Sequence, residues 1–122
     1  RPAGRTRLHE VAAGNFVAPD DSAFKAAAAD ADWSKSAFYE ILTDQKGKDA
    51  WPISGATFIL MHKVQEKPAN AAEVLKFFDW SYKNGSQLAA DLDYVPLPDK
   101  VVKLIAHSWG DIKDAAGKPV WK

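Results

Sequence analysis

An apolar run near the middle of the chain most constrains the fold. After Trp51 and Pro52, residues Ala56 to Met61 are apolar except for Thr57, which is β-branched. A continuous apolar run of this length predicts a strand buried on both faces, and such strands lie inside parallel or mixed sheets covered by helices. The sequence must therefore also supply helices with an apolar face.

The segment that follows this run predicts a long amphipathic helix. It begins at Pro68-Ala69-Asn70 and ends at Asn84-Gly85, where Gly85 is expected to adopt a left-handed cap. Apolar residues recur there at helical spacing. The expected buried stripe comprises Ala71, Val74, Leu75, Phe78 and Tyr82, and the polar faces comprise Glu73, Lys76, Asp79 and Lys83.

Two further helices are predicted towards the C-terminus. Ser86 to Leu92 predicts a short helix, and residues 98–109 predict a longer one with Pro98 as its first residue and Gly110 after its end. The side chains expected to be buried on the longer helix are Val101, Val102, Leu104, Ile105 and Trp109. Strand and helix patterns in this order indicate an α/β layered arrangement.

The first third of the chain is more varied. Leu8 to Val11 and Phe16-Val17 read as short strands on either side of a turn at Ala13-Gly14-Asn15. Acidic residues after Pro19 suit a helix start, which predicts a helix near 21–31. Trp33 to Leu42 fits either a strand or a buried helical turn, because a short apolar run does not reveal its period.

Composition excludes several classes of function. Sixteen basic and sixteen acidic residues cancel, which argues against nucleic-acid binding by phosphate neutralisation and against a polybasic membrane anchor. The basic residues Arg1, Arg5 and Arg7 form a local exception, read as a basic terminus or an anion-binding arm. The chain has no cysteine, so disulfides, thiol catalysis and thiolate metal sites are excluded.

No pattern in the sequence predicts an active site or a metal site. His9, His62 and His107 are too widely spaced for a helical zinc motif, and no Gly-x-Ser-x-Gly elbow occurs. Asp20-Asp21 is better explained by helix capping, and Asp91 with Asp93 by loop solvation, than by acid–base catalysis. We therefore expect no enzyme activity, no cofactor and no metal.

Ser54-Gly55-Ala56-Thr57 invites comparison with a phosphate-binding loop, because small residues let backbone N–H groups approach an oxyanion. A phosphate cradle, however, normally feeds the N-terminus of a helix, whereas these residues feed an apolar strand. Close backbone packing at a crossing between domains explains them at least as well.

Several ordered motifs together resemble the last third of bacterial periplasmic phosphate-binding proteins, the solute receptors of phosphate ABC transporters. The resemblance covers residues of roughly 14 to 122. The motifs that carry it are Ala31-Asp32-Trp33-Ser34-Lys35, Gln45-Lys46-Gly47-Lys48-Asp49-Ala50-Trp51-Pro52-Ile53, Val74-Leu75-Lys76-Phe77-Phe78-Asp79-Trp80, Asp91-Leu92-Asp93-Tyr94, Leu97-Pro98 and Gly117-Lys118-Pro119. Residues 1–10 do not look like the family.

The resemblance implies the C-terminal portion of a type II periplasmic-binding-protein fold, an α/β fold in which helices pack on mixed sheet strands. Residues 1–51 would be a remnant of the second lobe and residues 57–122 would complete the first lobe. The last crossing would lie at 52–56, with Pro52, Ile53, Ser54 and Gly55 as hinge residues. None of the family's phosphate-gripping motifs is present, so the resemblance implies no phosphate-binding residue in this chain.

The implied function is that of a fragment of a periplasmic receptor for phosphate uptake. The chain starts without an initiator Met or a signal peptide, which fits a processed or excised piece. Inorganic phosphate and a transporter permease are the partners of the whole receptor, and no nucleic acid is expected. A fragment of this kind is also expected to self-associate through apolar surface that the rest of the receptor would cover. The alternative is a stand-alone interaction or inhibitor module that uses the same surface.

Overall fold

The computed structural model describes residues 9–11, 14–34 and 38–121. The chain divides into two compact units, Arg1–Thr57 and Phe58–Lys122. The predictions for Arg1, Arg5 and Arg7, and most of the atypical segment 1–10, lie outside the described residues. The described part contains both helices and strands, as the sequence predicts.

The first unit begins with a short antiparallel hairpin. Strand β1 (His9–Glu10) pairs with β2 (Phe16–Val17), in a register that sets His9 opposite Val17. The turn is closed by backbone hydrogen bonds from Val11 N to Asn15 O (2.9 Å) and from Gly14 N to Val11 O (2.8 Å). Gly14 takes a φ of 78°, a conformation that glycine adopts without strain. The predicted pair of strands around this turn is confirmed for the described residues.

Helix α1 (Asp21–Asp30) confirms the helix predicted near 21–31. It packs with small side chains, since its buried residues are Ala23, Ala27 and Ala28. Just past its end, buried Trp33 turns back and donates a hydrogen bond from Nε1 to the carbonyl of Ala28 at 2.6 Å. Beyond residues 35–37, which lie outside the described residues, 38–42 form neither a strand nor a helix.

The second unit contains one parallel strand pair. Strand β3 (Val64–Gln65) pairs with β4 (Lys113–Asp114), setting Val64 opposite Lys113. Parallel strands need a long crossover connection, and here three helices supply it. These helices are α2 (Pro68–Asn84), α3 (Ser86–Asp91) and α4 (Asp99–Ser108), the last followed by a 3-10 turn at Trp109–Asp111.

An aromatic cluster forms the core of this second unit. Leu75 of α2 is fully buried against Trp109 and Ile112. The Tyr82 ring stacks on Trp109 with centroids 6.3 Å apart, and Trp121 meets Trp109 edge-on at 5.1 Å. The partly buried residues around this cluster are Met61, Phe78, Tyr82, Ile105, Ala106, Val120 and Trp121. The predicted helical stripe is thus confirmed at Ala71, Leu75, Phe78 and Tyr82.

Some details of these helices differ from the sequence predictions. Val74 and Leu104 were expected to be buried, but they are 42% and 37% exposed. Pro98 is the residue before α4 and not its first residue, and the 3-10 turn carries the chain through Gly110 to Asp111. The reason for the two exposed side chains is that each lies at the margin of its apolar stripe, where nothing in the described second unit covers it.

The prediction of a left-handed cap at Gly85 is wrong. Its φ is −89°, which any residue can adopt. The reason for glycine here is a close approach, because its N–H donates to the carbonyl of Ser81 at 2.7 Å. A Cβ at this position would lie only 2.6 Å from that same oxygen.

The largest correction concerns the predicted buried strand Ala56–Met61. This segment is not a strand, and Phe58, Ile59 and Leu60 are 47%, 53% and 93% exposed. Among the described residues, no backbone hydrogen bond joins it to a neighbouring strand. A strand buried in a sheet requires partner strands on its edges, and the described part of this chain provides none here.

Across the described ranges, no helix combines the length and the apolar character needed to cross a bilayer.

Candidate functional site

The predicted hinge, Pro52 to Gly55, is divided between anchored and open residues. Pro52 is buried, and its carbonyl accepts a hydrogen bond from Asp44 N at 3.1 Å. Ser54 is only 8% exposed and donates its hydroxyl to the carbonyl of Trp51 at 2.8 Å. Ile53 is 69% exposed, and a Cβ on Gly55 would meet no atom within 4 Å. The hydrogen bonds of Pro52 and Ser54 therefore hold residues 52–54 to the rest of the first unit.

Trp51 connects this segment to helix α1. Its backbone N–H donates to the carbonyl of Ala23 at 3.0 Å. Its ring lies 6.4 Å from that of Phe24, measured between centroids, at an angle of 54°. The tilted aromatic pair and the backbone bond together hold the entrance to the predicted hinge against the helix.

The loop before Trp51 also holds the predicted hinge through a hydrogen bond, and the sequence did not predict this contact. Asp44 adopts a positive φ of 53°, and its N–H donates to the carbonyl of Pro52. Asn15 adds a bond from Nδ2 to the carbonyl of Lys48 at 3.2 Å. The sequence feature that could have indicated this contact is the polar stretch from Thr43 to Asp49. It contains Asp44, and Asp tolerates the left-handed conformation better than most residues.

Ser54-Gly55-Ala56-Thr57 does not form an anion cradle in the described structure. The Ser54 hydroxyl donates to the Trp51 carbonyl, and the residues after it enter a segment that is neither helix nor strand. A cradle needs several N–H groups that converge, which commonly happens at the start of a helix. No helix starts directly after these residues.

Helix α2 presents a second apolar surface beside its buried stripe. Val74, Phe77 and Trp80 are 42%, 61% and 52% exposed. At 100° per residue, Val74 and Trp80 lie about 60° to either side of Phe77. The ion pair between Lys76 Nζ and Glu73 Oε1 (2.7 Å) borders this surface beside Trp80, and the pair between Lys83 Nζ and Asp79 Oδ2 (2.6 Å) lies further round the helix.

The titratable groups predicted to be structural have structural partners. Asp20 caps α1 by accepting hydrogen bonds from the Ser22 hydroxyl (2.6 Å) and from Ala23 N (2.9 Å), and these two bonds lower the pKa of its carboxyl. Asp91 was expected in a solvated loop, but it is the last residue of α3, where it accepts a hydrogen bond from Gln87 Nε2 at 2.8 Å. Burial against the aromatic cluster raises the pKa of the Tyr82 phenol.

Within the described ranges, no three His, Asp or Glu side chains gather closely enough to hold a metal ion. His62 and His107 are both exposed. In the same ranges, every buried side-chain nitrogen or oxygen has a hydrogen-bond partner. No buried polar atom of the described structure therefore points to a missing ligand.

Comparison with known proteins identifies the chain's relatives. No protein-family model matches it. The phosphate-binding protein PstS of Pasteurella multocida is 44% identical over 112 residues, which are 90% of this chain and 33% of the relative. PstS of Haemophilus influenzae is 44% identical over 98 residues, and PstS of Xylella fastidiosa strain 9a5c is 44% identical over 99.

This chain is homologous to part of PstS. It spans about a third or less of the length of the curated relatives it matches, from 27% to 33%. The resemblance drawn from the sequence motifs is thereby confirmed. The alternative of a stand-alone interaction or inhibitor module receives no support from these PstS relatives.

Proposed function

We propose that this chain is part of the solute receptor for high-affinity phosphate uptake by an ABC transporter. The observation that carries the proposal is the 44% identity to PstS of Pasteurella multocida over 90% of the chain. By this proposal the whole receptor acts in the periplasm, binds inorganic phosphate and delivers it to a membrane permease. The chain is not an enzyme.

Within that receptor, the chain contributes scaffold and hinge rather than ligand contacts. Its proposed arrangement is the C-terminal portion of a type II periplasmic-binding-protein fold. Residues 1–51 belong to one lobe, 52–56 to a crossing, and 57–122 to the other lobe. The apolar segment Ala56–Met61 and the outer face of α2 support this arrangement, since both expose apolar side chains that a larger domain would cover.

The hydrogen bonds of the crossing narrow the proposed hinge. Pro52 and Ser54 are held by Asp44 and Trp51, whereas Gly55 has open space around it. Hinges are a few residues that absorb changes in φ and ψ. We therefore assign the pivot to the segment that begins at Gly55.

A chimera tests the proposed membership of the receptor. The residues of Pasteurella multocida PstS that match this chain are replaced by the corresponding residues of this chain, and phosphate binding is measured by calorimetry. We expect the chimera to fold and to bind phosphate within about tenfold of the parent, which is a change of about 1.4 kcal/mol or less. A folded chimera that does not bind phosphate would contradict the proposal.

The isolated chain tests the absence of ligand contacts. We expect no saturable binding when it is titrated with inorganic phosphate at modest salt. One-site binding at micromolar concentration or tighter would refute the scaffold role and return attention to Ser54-Gly55-Ala56-Thr57.

Substitutions at Gly55 in the chimera test the hinge. Gly55→Pro fixes φ and should weaken phosphate binding, because closure of the lobes is then restricted. Gly55→Ala is the matched control, since a Cβ there meets no atom. Equal phosphate affinity for the two variants would show that the pivot does not lie at Gly55.

A further inference from the structure

The loop from Asp44 to Pro52 is closed by a backbone hydrogen bond between its two ends. Asp44 N donates to Pro52 O at 3.1 Å, and we call this contact the clasp. Ser54 bonds only to Trp51, three positions before it. Among the described residues, the clasp is therefore the hydrogen bond that joins residues 52–54 to a part of the chain outside their own neighbourhood.

The rest of the loop has anchors of its own. Ala50 is only 1% exposed. The Lys48 carbonyl accepts a hydrogen bond from Asn15 Nδ2 at 3.2 Å, and Trp51 N donates to the carbonyl of Ala23 in α1 at 3.0 Å. The clasp can therefore open without breaking the contacts that hold the middle of the loop and Trp51.

Asp44 forms its end of the clasp from an uncommon backbone conformation. Its φ of 53° lies in the left-handed region. Residues other than glycine are uncommon there, although Asp and Asn tolerate it better than most, and β-branched residues are outliers. The type of side chain at position 44 should therefore decide how readily the clasp closes.

We propose that the clasp sets where the hinge begins. While it is closed, residues 52–54 are held and the pivot starts at Gly55. When it opens, the last anchored residue is Trp51, and the pivot lengthens to include residues 52–54. A longer pivot gives the two lobes more orientational freedom, which is lost when they close on a ligand. Asp44 is thus a positioning residue for lobe closure, and this inference rests on the proposed role of residues 52–56 as a crossing.

Amide hydrogen exchange in the whole chain tests the clasp without any ligand. The N–H of residue 44 should exchange faster in the order Asp44→Asn, Asp44→Ala, Asp44→Val, because these residues tolerate the left-handed region progressively less. After correction for intrinsic exchange rates, we expect exchange about tenfold faster in Asp44→Val than in Asp44→Asn. The N–H of Trp51 should change by less than about threefold, because its bond to Ala23 is separate from the clasp.

Asp49→Val is the matched control for the loss of a charge and the gain of an apolar side chain. Asp49 is exposed in the same loop, and its φ is not positive. This variant should leave exchange at residue 44 within about threefold of the parent chain. Comparison of Asp44→Ala with Asp44→Asn makes the same test at lower strain, so the result does not depend on whether Asp44→Val folds.

Phosphate binding by the chimera tests the consequence for the hinge. Asp44→Val in the chimera should weaken the affinity for inorganic phosphate about threefold or more relative to Asp44→Asn, because closure then restricts a longer pivot. A folded chimera without these substitutions that does not bind phosphate would contradict the proposed function. Exchange at residue 44 would then decide the clasp by itself.

Three results would overturn the inference. The first is equal exchange at residue 44 in the Asn and Ala variants. The second is an equal acceleration at Trp51, or the same effect from Asp49→Val, because either would mean a general loss of stability. The third is equal phosphate affinity of chimeras that carry Asp44→Asn and Asp44→Val, since an open clasp would then leave the hinge unchanged.

Discussion

Helix α2 and the segment Ala56–Met61 are both apolar, yet only the helix has a covered face. Leu75 of α2 is 0% exposed, whereas Leu60 of the segment is 93% exposed. A helix satisfies its backbone hydrogen bonds internally and needs only a surface to pack on. A strand needs another strand for its backbone as well as a surface for its side chains. The difference teaches that the described part of the chain covers one face of its longest helix but forms no sheet around this segment.

The largest expected effect is at Leu75. Leu75→Ala removes fully buried side-chain atoms from the cluster with Trp109 and Ile112, and should lower the free energy of unfolding by about 2–5 kcal/mol. Leu60→Ala is the matched control and should change it by no more than about 0.5 kcal/mol. Urea denaturation measures both. An equal loss of unfolding free energy in the two variants would contradict the distinction between the buried helix face and the exposed segment.

Phe78 should give the next largest effect. Phe78 packs on the cluster from a partly buried position, so Phe78→Ala should cost about 1–3 kcal/mol, less than the 3–5 kcal/mol usual for a fully buried aromatic residue. Trp80 is 52% exposed on the other face of α2, and Trp80→Ala should cost less than Phe78→Ala. Thermal unfolding followed by circular dichroism ranks the two. The opposite ranking would invert the assignment of the two faces of α2.

Asp20 tests how far a helix depends on its own cap. Asp20→Ala removes the acceptor for Ala23 N and should destabilise α1 at neutral pH. Because the folded state lowers the pKa of Asp20 below 3.8, its contribution is present above that value and is lost as the pH falls through the folded-state pKa.

The matched variant for this prediction is Asp20→Asn, which keeps a capping oxygen but does not titrate. Circular dichroism at neutral pH and at about pH 3 should find less helix lost on acidification in Asp20→Asn than in the parent. An identical loss in both would place the acid dependence elsewhere.

Tyr82 should show the smallest effect. Burial raises its pKa above 10.0, so the neutral phenol is favoured in the folded state. This contribution is complete below the unfolded-state pKa and is lost as the pH rises through the folded-state pKa. The difference in phenolate absorbance between the parent and Tyr82→Phe should therefore have its midpoint above pH 10. A midpoint at or below 10 would argue against burial of the phenol.

Local patterns predicted the helices well. Apolar spacing, Pro19 and Pro68 located α1 and α2, and the turn at Gly14 located the first hairpin. The register of the parallel pair Val64–Gln65 and Lys113–Asp114 was not predicted, because it joins distant parts of the chain without a local signal. The predicted strand Ala56–Met61 failed for a related reason, since its pattern records a preference for burial but not whether a partner is present.

The hinge was predicted from the resemblance to a known family and not from the physical properties of its residues. Sequence alone marked Ser54-Gly55-Ala56-Thr57 as small and closely packed, but it could not reveal that Ser54 is tied to Trp51 and Pro52 to Asp44. Those bonds depend on the backbone path of the loop before Trp51. The domain boundaries and the hinge residues therefore stay predictions that the chimera and the Gly55 variants test.

The open segment after Gly55 also exposes the chain to proteases. Protease active sites bind substrates as extended strands with free backbone groups, and residues 56–61 are neither helix nor strand and have no backbone hydrogen bond to a neighbouring strand among the described residues. Phe58 and Leu60 are side chains that a chymotrypsin-like enzyme accepts. A single cut there would fall close to the boundary between Arg1–Thr57 and Phe58–Lys122. Brief digestion is thus a route to each unit by itself, and a shielded cut site would report that the segment has found a partner.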